Sequence, residues 1–146
     1  MALETNFFVS LLLLMLALRF NTGDTLSLPH GAPVTVEIIN GFGEAKLAPL
    51  VTNVTLHCKS KDDSLGYHTL HVGASYRFQF NRNYFLPTTL FWCFFTWPQD
   101  QTRHYIDIYE EDRDECTFCS WKIWSGGACM YDVDGDGYSR CLPWNK

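Results

Sequence analysis

Apolar and polar residues alternate with a period of two along most of this chain, the pattern of strands with one buried face. Val34, Val36 and Ile38 alternate with Thr35, Glu37 and Ile39, and the segment ends at Asn40-Gly41, a favoured turn dipeptide. In Val51 to Cys58, the apolar Val54, Leu56 and Cys58 oppose Asn53, Thr55 and His57. Tyr76, Phe78 and Phe80 against Arg77, Gln79 and Asn81 make the cleanest half-buried strand. Thr88 to Thr96 is apolar on both faces, which predicts a central strand covered on both sides. Arg103 to Tyr109 sets Ile106 and Ile108 against Tyr105, Asp107 and Tyr109. Phe118 to Ser125 alternates again, and Ala128 to Tyr131 predicts a short last strand.

Polar segments separate these runs. Lys59, Lys61, Asp62 and Asp63, followed by Gly66, predict a solvated turn between His57 and Leu70 whose Asp side chains cap backbone amides. Glu110 to Glu115 is a second, acidic turn, and no window keeps the apolar spacing of an amphipathic helix. The fold class is all-β: an antiparallel β-sandwich of about seven to eight short strands.

The amino terminus breaks the pattern. Phe7 to Leu18 is apolar apart from Ser10, the length of a signal-peptide core and short for a membrane span. The expected organisation is a signal peptide over 1–23, with cleavage near Gly23, an extended leader over 24–33, a sandwich domain over 34–131 and a carboxy-terminal tail over 132–146. No later stretch is apolar enough to insert in a membrane, so the expectation is a secreted, extracellular protein. A formal charge of −5 with no basic cluster argues against nucleic acid.

Six cysteines, Cys58, Cys93, Cys116, Cys119, Cys129 and Cys141, lie in the part that remains after cleavage. In an oxidising compartment they read as disulfides, with the pairing left open among 15 possibilities. Cys116 and Cys119 lack the second close pair of a zinc site and the helix of a redox motif. Asn53-Val54-Thr55 is a glycosylation sequon on the polar parity of its strand.

His57, Asp62, Asp63, His68 and His71 supply ligand and base chemistry, but their spacing fixes no common face with a nucleophile. The solvated-turn reading is preferred, and the alternative is a contact surface on which Lys61, Asp62 and Asp63 meet a partner. Asp132, Asp134 and Asp136 with Gly137 match the first half of a calcium loop, yet the closing glutamate position is Pro143. They are a weak calcium candidate; no metal and no cofactor are expected. Most aromatics fit strand cores, and Trp124 and Trp144 are the exceptions that would carry a glycan-binding face.

Four blocks carry a family resemblance: Val-Thr-Val-Glu-Ile-Ile-Asn (34–40), His-Cys-Lys-Ser-Lys-Asp-Asp-Ser-Leu-Gly (57–66), Thr-Leu-Phe-Trp-Cys (89–93) and Arg-Asp-Glu-Cys-Thr-Phe-Cys-Ser-Trp-Lys-Ile (113–123). In this order they resemble the plant self-incompatibility S1 family, the S-protein homologues. The chain departs from that pattern at Ser64, where the family often has an acidic residue, and in the tail with Cys141. The resemblance implies a secreted, disulfide-stabilised β-sandwich that works as a binding or signalling ligand for a cell-surface receptor or another extracellular protein. The alternative is a lectin-like or defence protein that recognises glycans or a pathogen component. No catalytic constellation of nucleophile and base supports an enzyme.

Overall fold

A computed structural model describes residues 32–44, 53–83 and 88–146 of the protein. The expected signal peptide and nearly all of the leader lie outside these residues. The described residues form nine strands and one short 3-10 turn (Phe42–Glu44). The strands are β1 Val34–Asn40, β2 Asn53–Lys59, β3 Ser64–His71, β4 Ser75–Phe80, β5 Leu90–Trp97, β6 Asp100–Glu110, β7 Phe118–Trp124, β8 Gly127–Asp132 and β9 Gly137–Pro143.

They make a sandwich-like pair of sheets, one of order β4-β1-β7-β8-β9 and the other β3-β2-β5-β6. The alternation places Val34, Val36 and Ile38, then Val54, Leu56 and Cys58, then Cys93 and Phe95, then Trp121 and Ile123 in one shared core. Each large apolar side chain fully removed from water there contributes about 1.5–3 kcal/mol. One pairing departs from the antiparallel expectation: β1 runs parallel to β7, with Thr35 opposite Phe118 and Asn40 opposite Ile123.

Three expectations are corrected. Residues 64–71, read as part of a loop, form edge strand β3. The register slips between His57, opposite Tyr67, and Lys59, opposite Ser64. Gly66 sits in this bulge with φ 76°, so its backbone freedom serves a strand irregularity rather than a turn. Tyr109, expected on the polar face, is buried, because a register shift between Phe91 and Trp92 brings it inward beside Ile108. Residues 132–146 are not a tail outside the domain. They supply β9, which pairs with β8, and Trp144, which packs on the core.

The three disulfides are Cys58–Cys93, Cys116–Cys119 and Cys129–Cys141. The first joins facing positions of β2 and β5 inside the core. The third joins facing positions of β8 and β9 and ties the last strand into its sheet.

Candidate functional site

The β2–β3 hairpin ends in the turn Ser60–Asp63. The Ser60 amide donates to the Asp63 carbonyl at 2.9 Å. The Ser60 hydroxyl in turn accepts from the amides of Asp62 and Asp63, at 3.3 and 3.0 Å. Ser60, not the aspartates, therefore caps the turn, which frees both carboxylates. Lys61, Asp62 and Asp63 are exposed, and no hydrogen bond or ion pair engages their side chains among the described residues. The Cys58–Cys93 bridge holds the base of the hairpin. A groove of about 730 Å3 opens beside it, walled by Asp62, Asp63, Phe80, Asn81 and Trp92.

The histidines expected near this loop do not converge. His57 hydrogen-bonds Ser64 at 2.9 Å through Nε2, while its buried Nδ1 has no partner among the described residues. A histidine–serine pair without a third group to orient the ring lacks the arrangement of an activated nucleophile. Burial pushes the imidazole below its usual range, and the charges of Lys59, His68 and Arg103 add to the shift, so the ring is neutral. His68 turns away to stack on Tyr76 at 3.8 Å and to donate to the Leu65 carbonyl. His71 donates to the Asn53 side-chain oxygen at 2.7 Å. Asn53 opens β2 on the outer face of the four-stranded sheet, half-exposed.

That outer face holds residues the sequence reading missed. Tyr67 (64% exposed), Phe94 and Tyr105 form a row of rings with centroids 5.8 and 5.9 Å apart. Arg103 lies 4.7 Å over Phe94 and Lys59 5.9 Å over Trp92. The signal was present in the outward parity of these positions, but Tyr67 was hidden by the reading of β3 as loop.

The rings singled out for glycan binding are engaged elsewhere. Trp144 packs against Phe95, Trp97 and His104, and its indole N–H donates to the Ser125 carbonyl at 2.7 Å. Trp124 is half-buried beside Tyr138. Asp132, Asp134 and Asp136 form the tip of the β8–β9 hairpin, where the Asp134 amide donates to the Asp132 carboxylate at 3.1 Å. Among the described residues no three His, Cys, Asp or Glu side chains gather as metal ligands.

On the opposite outer face Glu37 is nearly buried. It receives Arg77 Nε at 2.7 Å and the Ser120 hydroxyl at 2.9 Å, and Ser120 also meets the Tyr138 hydroxyl. Burial alone raises its carboxyl pKa, but the Arg77 and Ser120 contacts outweigh it and hold the group below the usual range. This network joins β4, β1, β7 and β9 and is structural.

Among the described residues no helix is long and apolar enough to cross a membrane. Residues 35–144 match the family model described as plant self-incompatibility protein S1. S-protein homolog 2 of Arabidopsis thaliana is 40% identical over 119 residues, covering 77% of this chain and 68% of the relative. S-protein homolog 3 of the same plant is 33% identical over 150 residues, covering 98% and 94%. S-protein homolog 4 is 34% identical over 116 residues, covering 75% and 71%. No solved structure matches the chain.

Proposed function

The chain belongs to the plant self-incompatibility protein S1 family, and on that premise we propose that it is a secreted ligand recognised by a cell-surface receptor or another extracellular protein through the β2–β3 tip. The observation that carries this reading is the tip itself. Three charged side chains, Lys61, Asp62 and Asp63, stand exposed without partners among the described residues, on a turn fixed by Ser60 and anchored by a core disulfide. Charges held rigidly and left unpaired cost little entropy to engage and give a partner both steering and register. Asn53 is the glycan acceptor in this reading, and a shift in mass on enzymatic deglycosylation of the plant-expressed protein checks it.

The test is the double substitution Asp62→Ala with Asp63→Ala, assayed by circular dichroism and by pull-down of plasma-membrane proteins from plant tissue. An unchanged fold with lost capture supports the tip as the contact. Loss of folding, or capture at the wild-type level, overturns it.

A second reading, carbohydrate recognition, is favoured by the exposed Tyr67 and Tyr105 rings and the Arg103 cation beside them. Glycan-array binding abolished by Tyr67→Ala and kept by the Asp62/Asp63 pair of substitutions would select it over the first.

A further inference from the structure

Three features stand side by side on the outer face of the four-stranded sheet. The first is the ring row. Tyr67 on β3, Phe94 on β5 and Tyr105 on β6 run across the strands, and His57 on β2 fills the gap between the first two, 4.4 Å from Tyr67 and 5.4 Å from Phe94. Tyr67 and Tyr105 are the exposed members. Rings braced by their neighbours in this way lose little freedom when a ligand covers them.

The second feature is a pair of cations that flank the row on opposite sides. His57 faces Phe94, with Lys59 and Trp92 facing each other on one side of that pair and Thr55 and Thr96 on the other. Arg103, two residues from Tyr105 in the direction of Asp100, lies on the threonine side. Lys59 stands over Trp92 and the exposed Arg103 over Phe94, and neither pairs with a carboxylate among the described residues. Asp107 shares the face opposite Trp92, and Arg113, which donates to its main-chain carbonyl at 2.8 Å, stands beside it. The face therefore carries more positive than negative charge within a chain of formal charge −5. The third feature is polar: an open groove of about 320 Å3 on the Arg103 side, lined in large part by Asn53, Thr55, Thr69, Thr96 and Gln101.

These features fit one kind of ligand. A sugar ring offers an apolar face to an aromatic side chain and hydroxyls to the groups around it. Carboxylates on the sugar would meet the cations, and a guanidinium lying over a ring keeps its N–H edge free for such a pair. In a linear hexuronate oligomer successive carboxylates project to different sides of the chain, which matches cations on both sides of the ring row.

We propose that this face binds a linear acidic oligosaccharide of the hexuronate class, with sugar rings on Tyr67 and Tyr105 and carboxylates on Arg103 and Lys59. The inference rests on the carbohydrate reading of this face and gives it a ligand class.

The test is calorimetric titration of the oxidised protein with tetragalacturonate in the absence of calcium. The expected result is saturable binding that weakens about tenfold in Arg103→Gln, the loss of one charge-assisted contact, and at least as much for the fully methyl-esterified tetramer. Arg103 is exposed, so an unchanged melting temperature verifies that the variant folds, and the ester comparison needs no variant. No saturation by about 10 mM tetragalacturonate would overturn the proposal. So would equal affinity for the ester, which would leave neutral carbohydrate recognition standing, whereas binding of neither these oligomers nor any neutral glycan would overturn that reading as well. Equal affinity for oligoglutamate would overturn the proposal by showing that charge alone is read.

Discussion

Trp144→Ala tests whether the last residues belong to the fold. The indole ring contacts Phe95, Trp97 and His104 from the opposing sheet, with centroids 5.5, 6.2 and 5.4 Å away. Next to it the Asn145 amide donates to the Tyr105 carbonyl at 2.8 Å, so the chain crosses from β9 of one sheet to β6 of the other. Truncating a fully buried tryptophan costs about 3–5 kcal/mol. Trp144 is half-buried, which reduces the packing share to about 2 kcal/mol, and the lost bond to Ser125 adds about 0.5 kcal/mol because that exposed carbonyl regains water. The expected loss is therefore about 2–3 kcal/mol. With a urea m-value near the middle of the usual range, the midpoint should fall by about 1–2 M in circular-dichroism unfolding of the oxidised protein. Trp144→Phe, which keeps most of the packing, should lose about 1 kcal/mol. A midpoint for Trp144→Ala within about 0.3 M of wild type would refute the reasoning and return residues 132–146 to the status of a tail.

Removing the Cys58–Cys93 bridge, which spans 35 residues, should destabilise the protein by about 1 kcal/mol more than removing Cys129–Cys141, which spans 12. Thermal melts of the two paired Cys→Ala variants check the order, and the reverse order rejects it. Because His57 is held neutral, the unfolded chain takes up a proton near pH 6.5 that the folded chain refuses. Its contribution is complete above that pH and declines as pH falls toward the lowered folded value; His57→Gln should flatten this part of the stability curve between pH 7 and 5. Glu37 gives the ordinary carboxylate sign. Its stabilisation is present above the unfolded value of 4.5 and is lost as pH falls through the lowered folded one. Glu37→Gln should cost about 1 kcal/mol at pH 7, discounted for the exposure of Arg77, and should remove part of the acid-limb slope measured by urea titration.

Strands with one dry face were legible because each carries its own evidence in period two: β1, β4 and β7 stand where the alternation put them. β3 was not, because Gly66 and the charged run before it carry the composition of a turn, and a bulge is invisible without the partner strand. β9 was missed for a related reason. Tyr138, Arg140 and Leu142 make a weak pattern alone, and only pairing with β8 gives that strand its buried side. The candidate tip was legible as a charged turn, but its capping was assigned to the wrong side chains, since Ser60, Asp62 and Asp63 are all able to cap. Tyr67 and Tyr105 could not be weighed as a surface until β3, β2, β5 and β6 were known to lie side by side.

The parallel pairing of β1 with β7 also sets a timetable. Thr35 cannot meet Phe118 until more than half of the chain has been synthesised, and β1 occupies an interior place in its sheet rather than an edge. The four-stranded sheet is complete at Glu110, so it can assemble and close Cys58–Cys93 while the opposite layer still lacks its centre. Contacts of such long sequence separation slow folding. A chain truncated before residue 118 should therefore hold a half-sandwich whose inner face is exposed to chaperones.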